Sequence, residues 1–392
     1  MKLSSLVVRD PKVNHYNPPH QVPLVAASSF VFGSIEQGMD IFDGKEAGHV
    51  YGRFGNPTID AAAEKIAALE GFGMDKPCYG LFCSSGMAAI ATVLLSLCEG
   101  GGTVLTQGDL YGGTSSLLDD LSSRGIRRIT TDLRNTEKIE DCLADCADIC
   151  VVYVETPSNP LLRCTDLEYL SDLAHHYGAL VVVDNTFATP IIQQPLRLGA
   201  DVVVHSTTKY LNGHGTGVAG AIVCHDEALM QRFLPTYRLF GGSGNPWDAW
   251  MVLNGLKTLA IRMERHCENA QQVASYLCNH SKVAAVHYPG LAGHTDCGTI
   301  RKQMSMHGGM LSFEVAGGLD AAMAFMNRLK FCTLTPTLGD VDTLVLHPAT
   351  MSHRGIPREQ RMTYGIKDEL VRVSVGIEAV CDILGDLEQA IG

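Results

Sequence analysis

Between residues 100 and 225, four short runs, TVLTQ (103–107), CVVYVE (150–155), LVVVD (180–184) and DVVVH (201–205), alternate with segments of helix-like composition. Runs this short, apolar and rich in valine read as strands buried on both faces, as happens where crossover helices cover a parallel sheet. The chain is thereby confined to an α/β architecture. The same pattern says where a ligand belongs, because open parallel sheets bind at the carboxyl ends of their strands. Tyr111, Asn159, Asp184 and Lys209 each follow such an end by at most a few residues.

At 392 residues, 46% of them hydrophobic, the chain is long enough for two domains. Residues 1–55, rich in Pro, His and Gly and with little periodicity, read as an arm that reaches onto a neighbour. Residues 56–250 read as the large domain and 251–392 as a smaller α+β domain. Within the latter, GLKTLAIRMERHCENAQQVASYLCNH (255–280) has the apolar spacing of one long amphipathic helix. HGGMLSFEVAGG (307–318) is strand-like and DAAMAFMNRLK (320–330) helix-like.

A formal net charge of −12 leaves no basic footprint for nucleic acid or an anionic membrane surface. No stretch approaches the roughly 18 uninterrupted apolar residues of a membrane span, and the N-terminus has no apolar targeting core. A cytoplasmic location is the expectation. Thirteen cysteines include no C-x-x-C pair, so neither a zinc site nor a disulfide framework is expected. Cys142, Cys146 and Cys150, four apart, could align on a helix face as a soft-metal site, but buried packing thiols are the favoured reading.

The segment VVHSTTKYLNGHGTG (203–217) places Lys209 just past a buried strand. Partial desolvation there lowers the pKa of the amine and makes its neutral form available for a Schiff base. A solvated loop lysine is the competing reading, so Lys209 needs company. Asp184 supplies some: VVVDNT delivers a carboxylate at a strand edge, either as a helix N-cap or as the counter-charge of a cationic cofactor ring. FCSSGMAAIATVLLSLC (82–98) adds a small-residue turn opening an apolar helix, a seat for phosphate, although Ser84 and Ser85 would serve equally as caps. The segment GMDIFDGK (38–45) is one residue too long for a P-loop and lacks its Ser or Thr, and the glycines near Gly71 complete no dinucleotide fingerprint.

Taken together these segments resemble the Cys/Met-metabolism family of pyridoxal 5′-phosphate (PLP) enzymes, across nearly the whole chain. The most specific pieces are YGRFGNPT (51–58), SSGM (84–87), DLYGGT (109–114), ETPSNP (155–160), VDNTFATP (183–190), HSTTKYLNGH (205–214) and LVRVSVGIE (370–378). The resemblance implies an aspartate-aminotransferase-like (type I) fold, with a large domain built on a mostly parallel sheet and a smaller α+β C-terminal domain. It further implies that Lys209 holds PLP covalently, Asp184 meets the pyridinium nitrogen and Tyr111 stacks on the ring. Gly86, Met87, Ser206 and Thr208 would bind the phosphate, joined by Tyr51 and Arg53 from a neighbouring subunit. Arg372, with Asn159 and Thr337, would hold the substrate carboxylate, a task suited to the guanidinium fork. The family assembles as homotetramers, dimers of dimers, which gives the arm a purpose.

The activity implied is γ-elimination on a sulfur-containing or γ-substituted amino acid, with Lys209 moving protons and Tyr111 assisting the leaving group. Two features bear on the substrate. Methionine γ-lyases usually carry a cysteine two residues after the stacking tyrosine, where this chain has Gly113. Conversely, TPTLGDVDTLVLHPATMSH (335–353) looks like methionine γ-lyases and O-acylhomoserine sulfhydrylases, whereas cystathionine lyases tend to have a glutamate where Pro336 stands. A γ-lyase of the methionine type is favoured, with O-acylhomoserine sulfhydrylase, cystathionine γ-synthase or cystathionine γ-lyase as alternatives. A non-catalytic binding protein retaining the fold is the alternative of another class, and the joint presence of Lys209, Asp184, Tyr111 and Arg372 argues against it.

Overall fold

In the computed structural model, which describes residues 1–11 and 19–392, the four valine-rich runs lie side by side in one sheet. Its strands are β1 (Tyr79–Cys83), β2 (Gly102–Thr106), β3 (Ile126–Thr130), β4 (Ile149–Glu155), β5 (Leu180–Asp184), β6 (Val202–His205) and β7 (Gly220–Cys224), in the order β1-β7-β6-β5-β4-β2-β3. Strand β7 is antiparallel to both neighbours. The pairs from β6 across to β3 are parallel.

Alternate valines of the central strands serve opposite faces, as double coverage demands. Val151, Val182, Val202 and Val204 pack with Ile90, Val93 and Leu94 of the helix Gly86–Leu97. Val152, Val154, Val181 and Val183 pack with Ile139, Leu143, Leu167 and Leu170 of the helices Thr136–Asp145 and Leu167–His176. Farther along that second face, Val203 and Val223 meet Ile59, Ile66 and Leu69 of the helix Pro57–Glu70.

A second sheet holds β8 (Val283–His287), β9 (Met310–Val315), β10 (Thr333–Leu334), β11 (Leu344–Leu346) and β12 (Leu370–Ser374), ordered β10-β11-β12-β9-β8. The helices Gly318–Arg328 and Val380–Ile391 pack on it through Phe325, Ile383 and Leu387. The strand-like and helix-like segments expected after residue 300 are thus β9 and Gly318–Arg328.

The long helix expected over 255–280 is instead two, Pro246–Leu256 and Leu259–Cys278, broken at Lys257 and Thr258. Apolar spacing runs across the break and conceals it. What marks it is Arg262, buried, whose guanidinium donates to the carbonyls of Gly255 and Tyr210, each at 2.8 Å, and whose Nε donates to Thr258 Oγ1 at 3.0 Å. The side chain thereby satisfies a carbonyl at the end of the first helix and ties it to the Lys209 loop.

The three cysteines do not share a helix face. Cys142 lies in Thr136–Asp145, Cys146 is its C-cap, already out of helical geometry, and Cys150 belongs to β4. Among the described residues no group of three His, Cys, Asp or Glu side chains is placed to hold a metal, and no helix is long and apolar enough to cross a membrane.

The first 55 residues are less irregular than expected, because they contain the helix Ile35–Phe42, capped by Ser34. Its Ile35, Met39 and Phe42 are well exposed in the single chain. Residues 12–18 of the expected arm lie outside the described residues. Near the start of the chain, Asp10 pairs with Lys65 at 2.7 Å and Lys257 at 2.9 Å, fastening this segment to the helix Pro57–Glu70 and to the break after Leu256.

Candidate active site

The strand ends that point the same way converge on a cavity of about 320 Å³. The turn after β1 contributes Ser85, Gly86 and Met87, the turn after β2 contributes Tyr111, and β4 with its following loop contributes Glu155 and Asn159. Asp184 comes from the end of β5, and Ser206, Thr208 and Lys209 from the turn after β6. The second sheet adds Arg372 from β12 and Pro336 and Leu338 from the loop between β10 and β11.

Glycines make two close approaches possible. Ser85 caps the helix Gly86–Leu97 by accepting the Ala88 N–H at 3.0 Å. The helix start presses on β7 so closely that a Cβ on Gly220 would lie 2.2 Å from the Ser85 carbonyl oxygen. Gly339 adopts φ +81°, and a Cβ there would lie 2.6 Å from the Tyr210 nitrogen and 3.2 Å from Lys209 Cβ. The 335–340 loop therefore passes directly against Lys209.

Contact with that loop fixes the amine. Lys209 Nζ donates to Thr337 Oγ1 at 2.8 Å. Burial, followed by repulsion from Arg372 and opposed by Asp340, lowers the amine to about 8. The Arg372 guanidinium donates to Asn159 Oδ1 at 3.0 Å and to the Thr337 carbonyl at 3.1 Å. It is buried, which lowers its pKa to about 10, and its Nε has no partner among the described residues. A buried cation with an unused donor calls for an anion. Asp184, also enclosed, accepts the Thr186 N–H at 3.0 Å and the Tyr153 hydroxyl at 3.3 Å. Burial pushes its carboxyl up, against the hydrogen bonds from Thr186.

These residues fit PLP. The helix start offers unpaired backbone N–H groups beside the Ser206 and Thr208 side chains, and a Cβ on Gly86 would lie only 2.8 Å from Ser206 Cβ, so glycine keeps the cradle open. Asp184 can take a protonated ring nitrogen, and Lys209 offers an amine that is easily made neutral. Of the expected residues, Lys209, Asp184, Tyr111, Gly86, Met87, Ser206, Thr208, Asn159 and Arg372 line this cavity, and Thr337 touches both Lys209 and Arg372.

Tyr51 and Arg53 are elsewhere. They line a separate depression with Asn245, Pro246 and Trp247, and Arg53 Nη1 donates to the Arg238 carbonyl at 2.8 Å. Sequence reasoning passed over Glu155, Phe187, Val218, Leu338 and Ser352, which also line the cavity. Glu155 carries the same signal as Asp184, a carboxylate closing a valine-rich strand.

Residues 5–392 match the family model described as Cys/Met metabolism PLP-dependent enzyme. An L-methionine gamma-lyase of Fusobacterium nucleatum subsp. nucleatum is 45% identical over 373 residues, 94% of this chain and 93% of that protein. A cystathionine beta-lyase of Lactococcus lactis subsp. cremoris is 43% identical over 349 residues, 89% of this chain and 90% of that protein. The structure of cystathionine gamma synthase from Xanthomonas oryzae pv. oryzae in complex with aminoacrylate and cysteine superposes with a TM-score of 0.93 at 39% identity, covering 100% of this chain and 98% of the other.

Proposed function

Because the chain belongs to the Cys/Met metabolism family of PLP-dependent enzymes, we propose that it is a carbon–sulfur lyase of the methionine γ-lyase type. It releases a thiol, ammonia and a 2-oxo acid from a γ-substituted amino acid. The observation that carries this reading is the meeting of Lys209 and Arg372 on one residue, Thr337. An α-amino acid whose carboxylate binds Arg372 then presents its Cα beside the Lys209 amine.

PLP, when bound, supplies an electron sink for negative charge developing on the substrate carbons. Lys209 Nζ takes the Cα proton and carries protons onward, and its lowered pKa keeps a useful fraction neutral near physiological pH. Asp184 would hold the ring nitrogen protonated, and Gly86, Met87, Ser206 and Thr208 would hold the phosphate. Arg372 and Asn159 orient the substrate, while Tyr111 would help hold the ring, and its hydroxyl gives a proton to the departing sulfur. The non-catalytic reading has no support from the relatives, which are lyases and synthases.

The distal wall speaks to the substrate. Val218, Phe187, Pro336 and Leu338 line the cavity and bring no charge. Burying the second ammonium group of cystathionine against such a wall costs several kcal/mol at the order-of-magnitude level. Methionine, homocysteine or an O-acylhomoserine is therefore expected to show a higher kcat/KM than cystathionine, and Pro336→Glu should shift the ratio toward cystathionine. The measurement is a product-resolved assay of the holoenzyme with each substrate, with and without sulfide. A tenfold preference of the unmodified enzyme for cystathionine overturns the methionine-type reading, and capture of sulfide as the dominant outcome favours the sulfhydrylase reading.

The same proposal includes a homotetramer, a dimer of dimers, in which Tyr51 and Arg53 reach a partner's phosphate. Support comes from their distance from their own cavity and from the exposed Ile35, Met39, Phe42 and Trp247. Chains inactivated by Arg53→Ala and by Lys209→Ala are expected to recover activity when co-assembled, since one site then has both parts intact. Verified hetero-oligomers without recovery rule out the shared site. A division into an arm (1–55), a PLP-binding domain (56–250) and a C-terminal domain (251–392) accords with one sheet lying within 79–224 and the other within 283–374. The thirteen free thiols accord with a reducing compartment such as the cytoplasm.

A further inference from the structure

Glu155 closes β4 as Asp184 closes β5, and the two are paired in register across adjacent parallel strands. Paired residues of a parallel sheet project to the same face about one strand spacing, roughly 4.8 Å, apart. Both side chains are enclosed at the cavity. Both Glu155 oxygens face the Tyr111 backbone N–H, Oε1 at 3.0 Å and Oε2 at 2.9 Å. The Thr114 hydroxyl lies beside Glu155 and Tyr153 and otherwise lacks a partner among the described residues.

His205, near Asp184, is paired with the buried Glu70 at 2.6 Å, and the other charged groups around this pair do not favour two anions. Asp109, buried, bonds Ser158 and has Arg163 at 3.7 Å, so the nearest cation on that side is already shared. Arg372 is turned to Asn159 and Thr337, and His353 donates from Nε2 to the Leu110 carbonyl and accepts the Ser352 hydroxyl at Nδ1, with burial lowering it to about 4 and so keeping it neutral. Tyr153 bonds Asp184. Two enclosed carboxyl groups carried side by side on paired strands repel as anions, and that repulsion adds to burial in favouring one proton between them. A protonated cofactor ring nitrogen keeps Asp184 ionised, which leaves the proton to Glu155.

We propose that Glu155 works as a neutral carboxylic acid that holds Tyr111 in place over the cofactor and leaves Asp184 the only ionised carboxylate of the pair. In this form one Glu155 oxygen accepts the Tyr111 N–H and the O–H donates to Thr114 Oγ1, giving the stranded hydroxyl oxygen a use. Glu155 is a positioning residue: it acts through the Tyr111 backbone and through Asp184, not on the substrate. Burial, with Asp184 adding to it, pushes its carboxyl far above the usual range, in line with the geometry.

The inference rests on PLP occupying the cavity, but not on which substrate is used, so its test reads protonation directly. Difference infrared spectra of the holoenzyme without substrate should contain the C=O stretch of a protonated carboxyl group that persists at mildly alkaline pH and is lost in Glu155→Gln. Glu155→Leu, which removes both hydrogen bonds, is expected to lower kcat about 10- to 100-fold with little change in PLP content, since a small displacement of Tyr111 suffices. Glu155→Gln, which has the neutral acid's shape and donor–acceptor pattern, should regain most of that loss. Absence of the band, or a Gln variant as impaired as the Leu variant, overturns the inference by showing that the residue acts as an anion. Should the Leu variant fail to fold, the band and its loss in the Gln variant decide alone. A wrong substrate assignment would leave the band unchanged.

Discussion

Lys209→Ala is expected to lower turnover by at least about 10⁴-fold while leaving the fold intact. The substitution removes, in a single step, the amine proposed to anchor the cofactor and to serve as the base at Cα. It removes little that the sheet needs, because burial already disfavours the charged amine and its hydrogen-bond partner, Thr337 Oγ1, sits at the cavity edge. Circular dichroism and thermal melting check the fold, and single-turnover assays of the PLP-loaded variant check the chemistry. Turnover within about tenfold of the unmodified enzyme would show that another group carries the proton.

Asp184→Asn tests charge at constant shape. An asparagine can still accept the Thr186 N–H and can donate to the Tyr153 hydroxyl, so both local hydrogen bonds have a counterpart. What disappears is the anion proposed to hold the ring nitrogen protonated. Loss of such a preorganised electrostatic partner is expected to lower kcat on the order of 10²- to 10³-fold and to weaken PLP retention. Activity and equilibrium PLP binding measured on the same preparation check both. Near-normal values for the two would mean that the cofactor ring lies elsewhere in the cavity.

Much of this arrangement was legible in the sequence because a doubly covered parallel sheet writes its strands as unbroken valine runs. All four such runs are strands, each beginning and ending within about a residue of its expected bounds. Lys209 and Asp184 were legible for the same reason, since each follows the end of such a run. Arg372 was not legible from this signal: it stands in the middle of β12, in another sheet, and only the resemblance pointed to it. The break at Lys257 and Thr258 stayed hidden because Leu256, Leu259 and Met263 keep helical spacing through it, while the side chain that explains it, Arg262, acts on the Tyr210 carbonyl. Glu155 was written as plainly as Asp184, but a strand-end carboxylate gains meaning only when the neighbouring strand is known to pair with it in register.

The cavity's two sheets also divide its tasks in part along the chain. The cavity residues proposed to hold the cofactor lie between Gly86 and Lys209, whereas the uncharged wall and the proposed carboxylate clamp draw on both parts of the chain, Phe187, Val218 and Asn159 upstream and Pro336, Leu338 and Arg372 downstream. Such a partial split is a form of modularity. Drift at Pro336 or Leu338 can alter which amino acid is accepted, provided that Thr337 and Gly339, which bear on Lys209, are kept. A grafted 335–353 segment that keeps Thr337 and Gly339 is therefore a natural unit for redirecting the enzyme's choice of γ-substituent.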